Sequence, residues 1–219
     1  SLEKQKELEA LTEELSGVNA KLTGEKATKI QLLETTRSSE EKYQSLLGQI
    51  RDELNAANSE VLRLDKILRA KLAREGKIAA LGPAILSWPV PGRYITPYFH
   101  DPEYPFRRIF QHTAIDIRAS FGTPIVATAP GYVGKARDGG AKGYSYIMLI
   151  HGDEITTVYG HVSSILVREG DYVTRGQQIG LSGGLPGTRG AGPFSTGAHL
   201  HFEVHKNGPA VDPLIYLPR

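Results

Sequence analysis

Between Leu8 and Leu22 apolar residues recur in alternating steps of three and four, at Leu8, Leu11, Leu15, Val18 and Leu22. The pattern returns at Leu47, Ile50, Leu54, Ala57, Val61, Leu64 and Leu68. This spacing draws one apolar stripe along a helix and predicts the seam of a coiled coil. The two stretches are out of phase, and residues 23–42 are polar along any seam, so a stutter or break is expected near Gly24. Such a helix cannot bury its stripe alone and needs a second helix, from another copy (a homodimer) or from a different partner. The stretch "EGKIAALGPAILS", residues 75–87, ends the helix at Gly76 or Gly82.

Beyond Trp88 the pattern changes to short apolar runs split by Gly, Pro and Asp turns. Strands are predicted at Tyr94–Phe99, Thr113–Arg118, Pro124–Ala127, Gly131–Arg137, Tyr146–His151, Glu154–His161, Gln178–Ser182 and His199–His205. The expected fold class is α+β: a long N-terminal coiled-coil helix followed by a mostly antiparallel β domain. The expected division is a helical arm over 1–78, a linker over 79–87 and a β domain over 88–219, with a core of its own from residue 84 onward. The arm reads either as a spacer or as a docking or regulatory element. Within "GAHLHFEVH", residues 197–205, alternation is strict. Leu200, Phe202 and Val204 share one face of a strand, and His199, His201, Glu203 and His205 share the other.

Composition sharpens the division. All 13 prolines and all 7 histidines lie after residue 82, and the first 78 residues hold a single aromatic, Tyr43. Those 78 residues carry 14 acidic and 14 basic side chains, and the whole chain has a net charge of +2, so no basic stripe argues for nucleic acid. No apolar run is long enough to cross a bilayer, and no signal peptide is present. The chain begins at Ser1 already in helical pattern, so it is expected to be cut from a longer protein that could hold an anchoring segment. Without cysteine there are no disulfides and no thiolate metal ligands.

Three histidine-bearing segments stand out in the β region. "QHTAIDI" places His112 and Asp116 four apart on one face of an extended strand, "VYGH" ends a strand at His161, and "HLH" supplies His199 and His201. Singly, each has an ordinary explanation: a surface ion pair, a solvated strand end, a polar strand face. Jointly they offer imidazole and carboxylate ligands for a catalytic zinc, which takes three protein ligands and keeps one position open. Spare histidines beside such a site can act as base and oxyanion donor. His100 reads as rim, His151 as structural, and His205 as too far along its strand to share the metal. Glu203 is expected to orient a ligand, and Tyr104 and Arg108 to line the groove.

These segments resemble the lysostaphin/LytM-type zinc endopeptidases, which cleave peptide bonds of bacterial peptidoglycan. The resemblance rests on the His112/Asp116 pair, "FGTPIVATAPGYV" (121–133), "YGHVSSILVREGDYVTRGQQIGLSG" (159–183), "TGAHLHFEV" (196–204) and "VDPLIYL" (211–217). It covers the second domain and none of the arm. It implies that His112, Asp116 and His201 bind Zn2+ and that His161 and His199 are the catalytic pair. The implied activity is hydrolysis of peptidoglycan stem-peptide cross-links with zinc-bound water as nucleophile, in the periplasm or at the cell surface. D-alanyl–diaminopimelate cross-links and glycine bridges are both within the family's range. Some coiled-coil members have lost these residues and only activate cell-wall amidases; here all five positions are present, and regulation or recruitment of a division partner stands as the alternative. Two departures are Ala114, where the family usually has glycine, and a long segment, "GLPGTRGAGPFS" (184–195), expected beside the cleft. A second resemblance, of "VREGDYVTRGQQIG" to the hairpin of lipoyl-type domains in membrane-fusion adaptors, leaves the histidines unexplained and offers no lysine for a cofactor.

Overall fold

The computed structural model describes residues 2–104, 107, 111–141, 143–192, 195 and 197–219, with side chains described from residue 21 on except at 50 and 54. Two compact units emerge, Ser1–Gln49 and Ile50–Arg219. One helix, α1 (Leu2–Arg74), runs through Gly24 and Gly48 without a break. A single glycine costs about 1 kcal/mol in a helix interior, too little to interrupt one this long. Its end is a Schellman turn: Gly76 sits at φ 70°, its N–H bonds to Ala73 O and the Lys77 N–H to Leu72 O.

In the first unit, side chains 21–46 are all exposed, Leu22, Ile30, Leu33 and Leu46 among them. The seam expected at Leu8, Leu11, Leu15 and Val18 lies outside the described side chains, as do Ile50 and Leu54. The rest of the second heptad run has another use. Ala57, Val61 and Leu72 are buried, with Leu64 and Leu68 beside them, against Tyr146, Met148, Ile150 and Val158. The partner of this stripe is a β-sheet of the same chain. The compact unit therefore starts at Ile50, and the division expected between residues 78 and 88 runs through it.

That sheet takes, in spatial order, β1 (Ile115–Arg118), β9 (His199–Lys206), β5 (Ile155–Gly160), β4 (Tyr146–Ile150), β3 (Gly131–Arg137) and β7 (Tyr172–Val173), with β10 (Ala210–Val211) also on β9. A smaller sheet orders β2 (Pro124–Val126), β8 (Gln178–Ser182) and β6 (Val162–Ile165). All pairings are antiparallel. The main core lies between the sheets, with Ile117, Ile147, Leu149, Leu200, Phe202 and Val204 meeting Ile125, Val162 and Ile179. Strand β4, "YIMLI", is buried along its whole length because Ile147 and Leu149 face this core while Tyr146, Met148 and Ile150 face α1.

The predicted strand at Tyr94–Phe99 is reduced to a bridge between Ile95 and Ile117. Arg118 N–H bonds to Tyr94 O and Thr96 N–H to Asp116 O, but Pro97 has no N–H to extend the ladder, and the Asp101 carboxylate then turns the chain by accepting from Tyr98 N–H. Strands β6, β7 and β10 were not expected; the last two have only two residues each.

Candidate active site

Register brings the predicted residues together. Strands β1 and β9 pair Asp116 with His201 and Arg118 with His199, and β5 pairs Gly160 with His201. Directly opposed residues share a face, so Asp116, His199 and His201 lie together on the face turned away from the main core. His112 joins from just before β1, and His161 from the link between β5 and β6. His161 holds a left-handed backbone, φ 56°, which lets the chain leave one sheet and enter the other within a single residue. Such a conformation is uncommon for a residue with a side chain and clusters at functional sites.

His112 Nε2, Asp116 Oδ1 and His201 Nδ1 converge, with one ligand atom from each of the three residues within 4.8 Å of the others. Asp116 Oδ1 is the hub, 3.1 Å from His112 Nε2 and 2.8 Å from His201 Nδ1. Each outward nitrogen is anchored. His112 Nδ1 donates to Tyr98 O at 3.0 Å, and His201 Nε2 donates to Glu203 Oε1 at 3.1 Å. With Nδ1–H donated to Tyr98 O, His112 turns Nε2 to the carboxylate, where either a proton or a metal cation can lie between the two.

Charge points the same way. Burial raises the Asp116 pKa, but the charge of His199 and hydrogen bonds from His112 and His201 outweigh it and hold the carboxyl well below the usual range. Glu203 is likewise raised by burial but lowered further by hydrogen bonds from His201 and His205, to about 2. Between these carboxylates His201, although burial disfavours its charge, is pushed up to about 10. A metal ion at His201 Nδ1 would take the place of that proton. The donor set fits zinc: two imidazoles and a carboxylate, with the outer hydrogen bonds such ligands require.

The remaining two histidines are built alike. His161 Nδ1 donates to Ala191 O at 2.8 Å, and His199 Nδ1 donates to Gly197 O at 2.8 Å. Each ring therefore presents only Nε2 to the site, and the ring centroids are 4.6 Å apart. Asp116 Oδ2 lies 3.4 Å from His199 Nε2 but off the hydrogen-bonding direction, so this nitrogen is buried without a hydrogen-bond partner among the described residues. An unsatisfied buried nitrogen in a cleft marks a place where something else bonds. Burial first, then the neighbouring charges of His199 and His201, keeps the His161 pKa well below its ordinary value, so this imidazole is neutral.

Glu203 orients His201, as the alternation suggested, and its second oxygen accepts from His205 Nε2 at 2.6 Å. His205 is thus one step behind the cluster and not in it. Tyr104 packs against His112 with centroids 4.8 Å apart and the rings tilted by 35°. Arg108, expected on the groove, lies outside the described residues, as do Pro193 and Phe194 of the long segment. Ala114 is fully buried without disturbing the site.

Two contributors were missed from the sequence. Tyr144 packs edge-on to His161 at 5.1 Å and His201 at 6.4 Å, and a Cβ at Gly160 would lie 1.9 Å from its hydroxyl. Ala191 supplies the carbonyl that fixes His161. Its position depends on Gly190, at φ 76°, where a Cβ would fall 2.0 Å from Val162 O. The clustering of Gly184, Gly187, Gly190 and Gly192 was the available signal for a shaped loop there.

His151 serves the fold. Its Nδ1 donates to Pro130 O and its Nε2 bonds to Thr157 Oγ1, both at 2.8 Å, and burial pushes its pKa down to about 4. The unfolded chain takes up this proton near pH 6.5 and the folded chain does not. Stability from this group is thus complete above pH 6.5 and falls by about 3 kcal/mol as the pH drops to 4. NMR of the folded protein should show a neutral His151 ring at pH 5.5. A titration midpoint above 6 would rule this out.

Residues 110–213 match the model of peptidase family M23. Peptidoglycan DD-endopeptidase ShyA of Vibrio cholerae serotype O1 is 36% identical over 106 residues, 48% of this chain and 23% of that protein. Murein hydrolase activator NlpD of Salmonella dublin is 41% identical over 109 residues, 48% of this chain and 26% of NlpD. A zinc-containing peptidase from Vibrio cholerae has a similar structure, with a TM-score of 0.51 and 33% identity over 59% of this chain and 39% of that one. The chain spans between 21% and 46% of the length of the first curated relatives it matches.

Proposed function

The chain belongs to peptidase family M23 through residues 110–213, and on that premise we propose that it is a zinc-dependent endopeptidase hydrolysing peptide cross-links of bacterial peptidoglycan. The observation that carries this reading is the convergence of His112 Nε2, Asp116 Oδ1 and His201 Nδ1 with both outward imidazole nitrogens anchored. These three residues are the assigned ligands. Zinc, when bound, supplies Lewis acidity toward the scissile carbonyl and lowers the pKa of water to about 7. Asp116 and Glu203 provide the negative charge that favours a cation, and Glu203 holds the His201 ring in place. His161 and His199 are the assigned proton carriers. With Nδ1 committed to a backbone carbonyl, each can accept a proton only at Nε2. Once protonated, the same atom becomes a donor for a developing oxyanion or a departing amine.

Because its substrate lies outside the cytoplasmic membrane, the protein is assigned to the periplasm or cell surface. The exposed apolar residues of α1 before residue 49 are assigned to contact with another helix, from a second copy or a partner.

Similarity to NlpD supports a second reading, activation of a cell-wall hydrolase. One experiment separates the two. Purified sacculi incubated with zinc-loaded protein should release peptide-cleaved fragments, identified by mass, and a chelator should stop the release. No fragments from a protein carrying one zinc per chain would sink the endopeptidase reading and leave the activator.

A further inference from the structure

We propose that Arg118 is a specificity-determining residue, gripping a carboxylate that the substrate carries beside the scissile bond. The proposal rests on the endopeptidase reading and adds which cross-links that site prefers.

Position comes first. In the β1–β9 register Arg118 is directly opposite His199, two residues beyond Asp116. Its side chain therefore leaves the sheet on the same face as the candidate metal ligands. Two strand steps, about 7 Å, separate it from Asp116. An anion held there sits within roughly one amino-acid residue of a carbonyl at the cluster. The side chain is exposed, although Asp116 beside it is buried. The guanidinium lies over the Tyr94 ring at 6.0 Å from its centroid, a cation–π contact at an exposed site.

The surroundings suit an anion. A groove of about 510 Å3 runs beside His199, lined by Tyr94, Thr96, Arg118, Ser120, Gly197 and Ala198 as well as His199. That volume falls in the range of small-ligand subsites. The hydroxyls of Thr96 and Ser120 add donors, and no acidic residue lines the groove among the described residues. Among the described residues Arg118 forms no ion pair. The groove on the far side of the cluster, by His112, differs in carrying Asp101 as well as Arg107. A planar guanidinium is the group best matched to a carboxylate, which it binds through two parallel hydrogen bonds.

This distinguishes between the two cross-link chemistries. A D-alanyl–diaminopimelate link bears a free carboxylate on the carbon that carries the scissile amide nitrogen. A glycine bridge has no such group. The geometry favours the first.

The test compares two synthetic cross-linked peptides, identical except that this carboxylate is a carboxamide in one. The wild-type protein should hydrolyse the carboxylate peptide at least tenfold faster, as kcat/KM. In Arg118→Ala the ratio should fall to about one, and Arg118→Lys should recover part of it. A ratio between two substrates on one sample does not change with the fraction folded or loaded, so a merely structural role for Arg118 would leave it intact. Equal rates on both peptides by wild type, or an unchanged ratio in Arg118→Ala, would overturn the proposal. If wild type hydrolysed neither, the endopeptidase reading would fail, and the subsite would be decided by calorimetry: tighter binding of the carboxylate peptide that Arg118→Ala abolishes supports it, and equal binding of both refutes it.

Discussion

A fragment starting at residue 79 is expected to unfold or aggregate, whereas one starting at residue 50 folds. Without α1 the outer face of the larger sheet loses its cover. Tyr146, Met148 and Ile150 are fully buried and Val158 nearly so, all against Ala57, Val61, Leu64, Leu68 and Leu72. Each aliphatic side chain of this size contributes about 1.5–3 kcal/mol when fully buried. Four sheet residues and their helix partners together reach on the order of 10 kcal/mol, which is comparable to the total stability of an ordinary domain. Polar contacts fix the helix in register on that face. Asp65 accepts from the Thr156 hydroxyl, Glu60 accepts from the Tyr146 hydroxyl at 2.6 Å, and Arg69 donates to the carbonyls of His151 and Ile155. Circular dichroism and thermal melting of both fragments are the measurement. A cooperative melt from the shorter fragment, near that of the longer one, would show that the sheet does not need the helix.

The helix also reaches the site. Glu53 Oε1 accepts from Tyr144 N–H at 3.1 Å, and Tyr144 in turn packs on His161 and His201. The segment from Ile50 to Arg74 thus covers the same face of the sheet that carries the candidate site and flanks that site through Tyr144.

Most of the site could be read from the residues because strand alternation is a local rule. The face shared by His199, His201, Glu203 and His205 follows from period two alone, whereas His112 meets Asp116 from the segment just before β1. The fate of the second heptad run could not be read in this way. A stripe of Ala57, Val61, Leu64 and Leu68 states that a helix buries one side, and says nothing about whether a helix or a sheet covers it. The complementary clue was in β4, where "YIMLI" lacks the alternation of a strand with one wet face. Two-sided burial of that run required a cover, and α1 was the element with a stripe to spare. Ala191 was hidden for a different reason: it acts through its carbonyl, and a backbone contact leaves no trace in residue type. The short strands β7 and β10 were lost because two residues cannot display a period.

His199→Ala should keep one zinc per chain while losing hydrolysis by about 10²–10⁴-fold, the usual contribution of a positioned proton carrier. Asp116→Ala and Asp116→Asn should lose both metal and activity. The two residues are 3.4 Å apart, so proximity does not separate their roles; hydrogen bonding does. Asp116 Oδ1 accepts from two imidazoles that have their other nitrogens anchored, which makes it the centre of the donor set. Among the described residues His199 Nε2 has no hydrogen-bond partner, and it lies outside that set. Removing one ligand of three deprives the ion of a third of its protein donors and of the only carboxylate among them. Removing His199 leaves all three. Zinc content by elemental analysis, measured with the rate on the same samples, gives the answer, and circular dichroism excludes misfolding. A zinc-free but folded His199→Ala would make His199 a ligand. A zinc-loaded Asp116→Ala would remove Asp116 from the ligand set. His161→Ala should behave as His199→Ala does, because its Nδ1 is tied to Ala191 and it supplies no atom to the ligand set.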